Sequence, residues 1–220
     1  MTADYQKARE NMVDCQIHTA GVLSPGLLQS FMSVPRELFV PDKMRGIAYS
    51  DGAVALGKGR FMIECMTLAK LLQAVRLEPS DMVLDVGAGT GYSSAILSPL
   101  VMSVVALDDK KTLEKAARNW EKLGCPNIIA AEGELRAGAP AHAPYSLILL
   151  NGAVDALPQN LLGQLAPGGR LAGIVKRAGE TLGCAVLAEK LEGGHISSRS
   201  LFEADASYLP GFAPSSAFVF

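Results

Sequence analysis

The residues of greatest chemical consequence lie in one run, Val83-Leu84-Asp85-Val86-Gly87-Ala88-Gly89-Thr90-Gly91. A short apolar strand carries an aspartate and then opens into three alternating glycines. Glycine suits a backbone that must turn tightly and meet a ligand with no Cβ between them. The helix expected to follow offers free N–H groups at its start. Dinucleotide loops that hold pyrophosphate read Gly-x-Gly-x-x-Gly, whereas this one reads Gly-x-Gly-x-Gly behind Asp85. A carboxylate repels pyrophosphate and attracts an ammonium or a sulfonium. The pattern therefore favours a cationic nucleoside, S-adenosylmethionine, over a dinucleotide. Asp108 ends the next apolar run, Val104-Val105-Ala106-Leu107. It lies about 20 residues beyond the loop, where a carboxylate accepts both hydroxyls of a ribose. Asp108 or Asp109 also suits the N-cap of a helix starting near Lys110. Glu134, after a third strand, is placed to receive an adenine amino group.

These side chains need a scaffold, and the hydrophobic periodicity supplies one. Strands are expected at 83–86, 101–107, 127–131, 146–150 and 170–175, with helices at 92–97, around Leu113 to Leu123, and at 157–165. Gly124 stands where a C-cap glycine belongs. Alternating strands and helices predict an α/β fold, a mostly parallel sheet with helices on both faces. Residues 181–188 and 196–202, joined through Gly193-Gly194, predict an antiparallel C-terminal edge hairpin. Residues 1–30 read as helical, with Ser24-Pro25 opening a second helix. Val34-Pro35-Arg36 interrupts that helix, Leu38 to Pro41 reads as extended, and residues 64–77 form a third helix. The division expected is an N-terminal helical cap with an active-site loop over 1–80 and a cofactor-binding core over 81–220, packed as one unit.

Charge and composition exclude several roles. A net charge of -2 and a pI near 5.9 leave no basic stripe for nucleic acid or an anionic membrane. No secretory signal and no apolar run of membrane-spanning length are found, so a cytoplasmic protein is expected. Cys15, Cys65, Cys125 and Cys184 lie at least 50 positions apart, without metal-knuckle or redox spacing. They are expected to be reduced, and no metal site is expected. His18, His142 and His195 are too scattered to form a base, and Trp120 reads as packing on its helix. The apolar tail, Tyr208 to Phe212 and Ala217 to Phe220, is expected to pack back on the domain. Oligomeric state is not fixed by these observations.

From Arg9 to Val175 the chain resembles the protein-L-isoaspartate O-methyltransferases. The resemblance rests on Met12-Val13-x-x-Gln16-Ile17, Val34-Pro35-Arg36-x-Leu38-Phe39-Val40-Pro41, Ala48-Tyr49-x-Asp51, Ala143-Pro144-Tyr145-Ser146-Leu147-Ile148 and Gln164-Leu165-x-Pro167-Gly168-Gly169-Arg170-Leu171. It implies a Rossmann-like methyltransferase fold, with S-adenosylmethionine as cofactor, S-adenosylhomocysteine as product and a protein or peptide as acceptor. Asp85, Gly87 and Gly89 would line the methionine side, Asp108 the ribose, and Glu134 the adenine, where the family more often has Asp, with Gly91 also counted among the cofactor-binding residues.

One segment departs from the pattern. The family usually reads Gln-Thr-Ile-Ser-x-Pro after its Gly-x-Gly turn. Here Gly57-Lys58-Gly59 is followed by Arg60-Phe61-Met62-Ile63-Glu64-Cys65. Ile63 takes the serine's place, Phe61 the threonine's and Cys65 the proline's, so both hydroxyls are gone and the catalytic residues are not assigned. Methylation of an isoaspartyl carboxylate is an in-line displacement by a nucleophile already ionised above a reference pKa of about 4. It needs alignment and exclusion of water rather than a general base. A lost hydroxyl contact, worth roughly 1.5–3 kcal/mol, would slow transfer by one or two orders of magnitude. Lys58 and Arg60 are candidates to hold the acceptor carboxylate instead, although two cations on a turn are expected first to be solvated. Two alternatives stay open: a less polar acceptor against Phe61, Met62 and Ile63, and a cofactor-binding homologue without transfer activity.

Overall fold

The computed structural model describes residues 4–214. Helix α1 (Tyr5–Met12) widens into a π-helical turn (Val13–Ile17), and α2 (Pro25–Ser33) follows. Two 3-10 segments (Arg36–Phe39 and Asp42–Ile47) lead to a small hairpin, β1 (Val54–Gly57) and β2 (Arg60–Met62), and to α3 (Cys65–Ala74). The main sheet then begins with β3 (Met82–Val86), α4 (Tyr92–Leu97), β4 (Ser103–Asp108), α5 (Lys110–Leu123) and β5 (Ile128–Glu132). It ends with β6 (Tyr145–Val154), α6 (Gln159–Gly163), β7 (Leu165–Val175), β8 (Gly183–Lys190) and β9 (Ile196–Ala204).

The sheet has seven strands in the order β5-β4-β3-β6-β7-β8-β9. Strands β3 to β7 run parallel, and β8 and β9 form the antiparallel edge. The chain winds outward from β3 through β4 to β5, then returns to β6 on the other side of β3. Strand order therefore reverses at the carboxyl ends of β3 and β6, the position at which open α/β sheets bind ligands. The glycine loop and the end of β4 both open there.

Alternation along the strands divides the apolar side chains between two cores. Val83, Val104, Ala106, Leu147 and Leu149 face one cluster, shared with α1 to α5. Leu84, Val86, Val105, Leu107, Ile148 and Leu150 face the other, shared with α6 and the C-terminal segment. Helix α2 has nine residues, too few to persist alone in water. Burial of Leu27 and Phe31 beneath it holds it in place, each large side chain contributing roughly 1.5–3 kcal/mol.

Most expected elements are present, with α4 at 92–97 and α5 ending on left-handed Gly124. Three local readings are corrected. Leu38-Phe39 is not extended; it closes a 3-10 turn in which Leu38 N–H donates to the Pro35 carbonyl at 3.1 Å. The helix read at 157–165 is shorter, Gln159–Gly163, because Leu165 already pairs with Tyr145 as strand. The strand then runs through Pro167-Gly168-Gly169 by a register shift, left-handed Gly168 turning the backbone. The β5–β6 crossover, for which no element was expected, carries a 3-10 turn (Pro140–His142). Leu209 and Phe212 pack back on the core, being 4% and 1% exposed, while Ala217 to Phe220 lie outside the described residues.

Candidate active site

Strand β3 delivers Asp85 into the interior beneath the glycine loop. Its carboxylate is fully buried and accepts hydrogen bonds from Ser93 Oγ (2.7 Å), Ser94 Oγ (2.5 Å) and Asn151 Nδ2 (2.5 Å). Burial pushes its pKa up from the ordinary carboxylate value, and the three donors oppose that shift without cancelling it. Asp85 thus ties the start of α4 and the end of β6 to the loop, an orienting role its sequence position did not disclose. Asn151 was missed altogether. The available signal was a polar residue directly after an apolar strand, at the sheet's ligand-binding edge.

The loop itself is pinned against β4. Gly87 and Ala88 N–H groups donate to the Leu107 carbonyl at 3.0 and 3.3 Å. At Gly91, φ is +92°, and an added Cβ would meet Trp120 Nε1 at 2.4 Å. Trp120 Nε1 donates to the Gly91 carbonyl at 2.9 Å, so Trp120 packs, as expected, and also holds the loop.

Asp108 ends β4 and is 1% exposed. One carboxylate oxygen accepts from Gly89 N–H (2.8 Å) and the other from Asp109 N–H (2.9 Å). The helix cap falls to Asp109, which accepts from Thr112 N–H. Both Asp108 oxygens also accept from Arg60, Nη1 at 2.8 Å and Nη2 at 2.6 Å, and Nη2 lies 3.3 Å from the Gly87 carbonyl. Arg60 is therefore no solvated loop cation; its side chain is 18% exposed. Lys58, at the hairpin turn with φ +51°, is exposed. Glu134 is exposed two residues beyond β5, and Gly133 N–H bonds the Asp108 carbonyl at 3.3 Å.

The cleft above these residues is nearly filled. Leu56, Phe61, Ile63, Gly87, Gly89 and Asn151 line a cavity of about 20 Å³. Arg60, Tyr208 and Leu209 border a second of about 10 Å³. Residues 207–212 form a strap along β6, in which Leu209 N–H donates to the Ala153 carbonyl at 2.9 Å. Leu209 Cδ2 lies 2.6 Å from where a Cβ on Gly87 would stand. Larger cavities, about 470 and 570 Å³, lie away from the glycine loop, against β8–β9 and between α2 and α3.

The family model for protein-L-isoaspartate(D-aspartate) O-methyltransferase matches residues 7–210. A protein-L-isoaspartate O-methyltransferase of Pelotomaculum thermopropionicum is 37% identical over 190 residues, covering 85% of this chain and 82% of the relative. One from Methylorubrum extorquens is 37% identical over 169 residues, covering 76% and 74%. A solved protein-L-isoaspartate O-methyltransferase superposes with a TM-score of 0.79 at 26% identity, over 92% of this chain and 66% of that one. This chain belongs to the protein-L-isoaspartate O-methyltransferase family. A Plasmodium falciparum beta-aspartate methyltransferase structure, in complex with S-adenosyl-L-homocysteine, has a TM-score of 0.72 at 18% identity, covering 93% and 97%, and shares the fold.

The segments that first suggested this methyltransferase family prove to be struts for the site. Gln16 Nε2 donates to the Tyr49 carbonyl at 2.9 Å. Arg36, fully buried, donates to the Ala48 and Ile63 carbonyls, both at 2.8 Å, with its guanidinium carbon 4.8 Å from the Tyr92 ring centre. Thr90 Oγ1 donates to the Phe39 carbonyl at 2.5 Å. The 3-10 segment thus clasps the glycine loop on one side and the divergent hairpin on the other. Ile63, in the family's serine position, is 5% exposed and lines both small cavities. Phe61, in the threonine position, is 40% exposed.

The residues present fit the family's nucleoside cofactor, and Arg60 is the gauge. A bidentate guanidinium engages both Asp108 oxygens, a pair of acceptors of the kind a ribose diol could use. Among the described residues no group of three or more His, Cys, Asp or Glu side chains is placed to hold a metal ion. No helix among them is long and apolar enough to cross a membrane.

Proposed function

We propose that this chain transfers the methyl group of S-adenosylmethionine to the free carboxylate of an isoaspartyl residue in a damaged peptide or protein of the cytoplasm. The observation that carries the reading is the paired-acceptor carboxylate of Asp108 beside the glycine loop, at the strand-order reversal of a family member's sheet. When bound, the cofactor supplies a methyl group activated by its sulfonium sulfur. Asp108 accepts the ribose hydroxyls, Glu134 receives the adenine amino group, and Gly87 and Gly89 allow close approach of the methionine portion. Asp85 works from below, fixing the loop through Ser93, Ser94 and Asn151.

With the cofactor in place, its methyl group would pass to the acceptor oxygen to give a methyl ester, the carbon–sulfur electrons leaving with S-adenosylhomocysteine. The acceptor is already an anion at neutral pH, so the site has no proton to remove. Its contribution is alignment and a dry wall, for which Phe61, Met62 and Ile63 are suited.

Tritiated methyl transfer to an isoaspartyl peptide tests this. The label should enter the peptide, leave as methanol in mild base, and not enter the same peptide carrying ordinary aspartate. Cofactor binding without transfer to the isoaspartyl peptide would refute the acceptor assignment.

A further inference from the structure

Arg60 occupies the acceptors that the ribose requires, and both cannot hold Asp108 at once. Among the described residues Arg60 is also the only charged side chain lining either cavity beside the glycine loop, the remaining lining being apolar, glycine, or neutral polar such as Thr90, Ser93 and Asn151. It sits in β2, next to Phe61 and three residues from Ile63, where the family's two hydroxyls are missing. We propose that Arg60 is the acceptor-recognition residue, and that it couples the two substrates by exchanging partners. With the cleft closed it neutralises Asp108; when ribose hydroxyls take Asp108, the guanidinium turns to the acceptor carboxylate. This inference rests on the assignment of Asp108 to the ribose.

The charge balance favours the coupling. The ribose hydroxyls are neutral, so once they take Asp108 the largely buried guanidinium loses the counter-charge it had, a costly arrangement that only the nucleoside's own methionine carboxylate would offset before an acceptor arrives. An anionic acceptor removes that cost, so each ligand strengthens the other by the same factor. A neutral acceptor provides no such relief. The exchange also explains how a loop lacking both hydroxyls still receives a carboxylate: a bidentate fork replaces two single contacts.

Calorimetry with S-adenosylhomocysteine, which cannot turn over, separates the possibilities. In the unmodified protein an isoaspartyl peptide should tighten S-adenosylhomocysteine binding at least fivefold, and the peptide amidated at that carboxylate should not. Arg60→Gln should bind S-adenosylhomocysteine alone at least tenfold tighter and lose the coupling, with Arg60→Ala as a second variant that behaves alike. Equal affinity in the unmodified protein and both variants, or coupling that survives in them, would overturn the proposal. Asp108→Asn in the Arg60→Gln background distinguishes the underlying assignment. A tenfold loss relative to Arg60→Gln leaves the ribose reading standing even where the coupling fails; no loss removes the ribose reading and the proposal with it.

Discussion

At the scale of single residues, two aspartates set at neighbouring strand ends have opposite tasks. Asp108 shares both its oxygens with Arg60, the partner that the proposed exchange would release. Asp85 is enclosed by three donors and serves as a fixed post. Its raised pKa has a measurable consequence. Between the ordinary carboxylate value near about 4 and the higher folded value, the folded protein binds more protons at Asp85 than the unfolded chain does. Stability contributed at this position is therefore present at low pH and lost as pH rises through the folded pKa. Asp85→Asn removes that dependence. The stability of the variant relative to the unmodified protein should rise from pH 4.5 to pH 7 in urea titrations, where all other groups cancel in the difference. A difference that stays constant or falls would show that the hydrogen bonds, not burial, govern Asp85. Arg60 itself was legible as a charged residue in an unusual place. Its partner was not, because Asp108 lies 48 positions away and local pattern carries no information about that distance.

At the scale of elements, the glycine loop works because α4, α5 and the 3-10 segment hold it from three sides. Gly91 is the tightest point of that arrangement, combining a left-handed backbone with an indole ring in the space of a side chain. Gly91→Ala should cost about 3 kcal/mol or more, the left-handed penalty adding to the overlap with Trp120. Trp120→Phe should cost about 1 kcal/mol through the lost hydrogen bond. Urea unfolding measures both, and a Gly91→Ala loss below about 0.5 kcal/mol would mean the loop relaxes where this packing says it cannot. The elements read correctly from sequence were those with strong local periodicity and punctuation. Helix α5 shows its apolar stripe, a capping aspartate at 108 or 109 and its terminal Gly124 in the chain itself. The β1–β2 hairpin was invisible as strands, since four and three residues with a register shift leave no alternation to detect. The 3-10 turn over Arg36–Phe39 was missed and its Leu38-Phe39 end read as extended, because proline flanks the turn on both sides. Its geometry follows instead from Arg36 reaching the Ala48 and Ile63 carbonyls, contacts 12 and 27 residues distant.

At the scale of the whole molecule, the winding order places every proposed cofactor contact at one edge of the sheet. That much was legible, because alternating strands and helices with a glycine loop after the first core strand admit few other arrangements. The closed cleft was not legible. It arises from the meeting of two distant segments, the divergent hairpin carrying Arg60 and the C-terminal strap carrying Leu209, over a loop that belongs to neither. Two small cavities therefore stand beside the glycine loop, where the nucleoside is proposed to enter, and entry there would require both segments to yield. A crystal structure of the protein with S-adenosylhomocysteine is the most direct measurement of this account. It should show both ribose hydroxyls within hydrogen-bond distance of Asp108 and Arg60 withdrawn from it, with Leu209 displaced from above Gly87. A nucleoside bound elsewhere, or bound while Arg60 still grips Asp108, would contradict it.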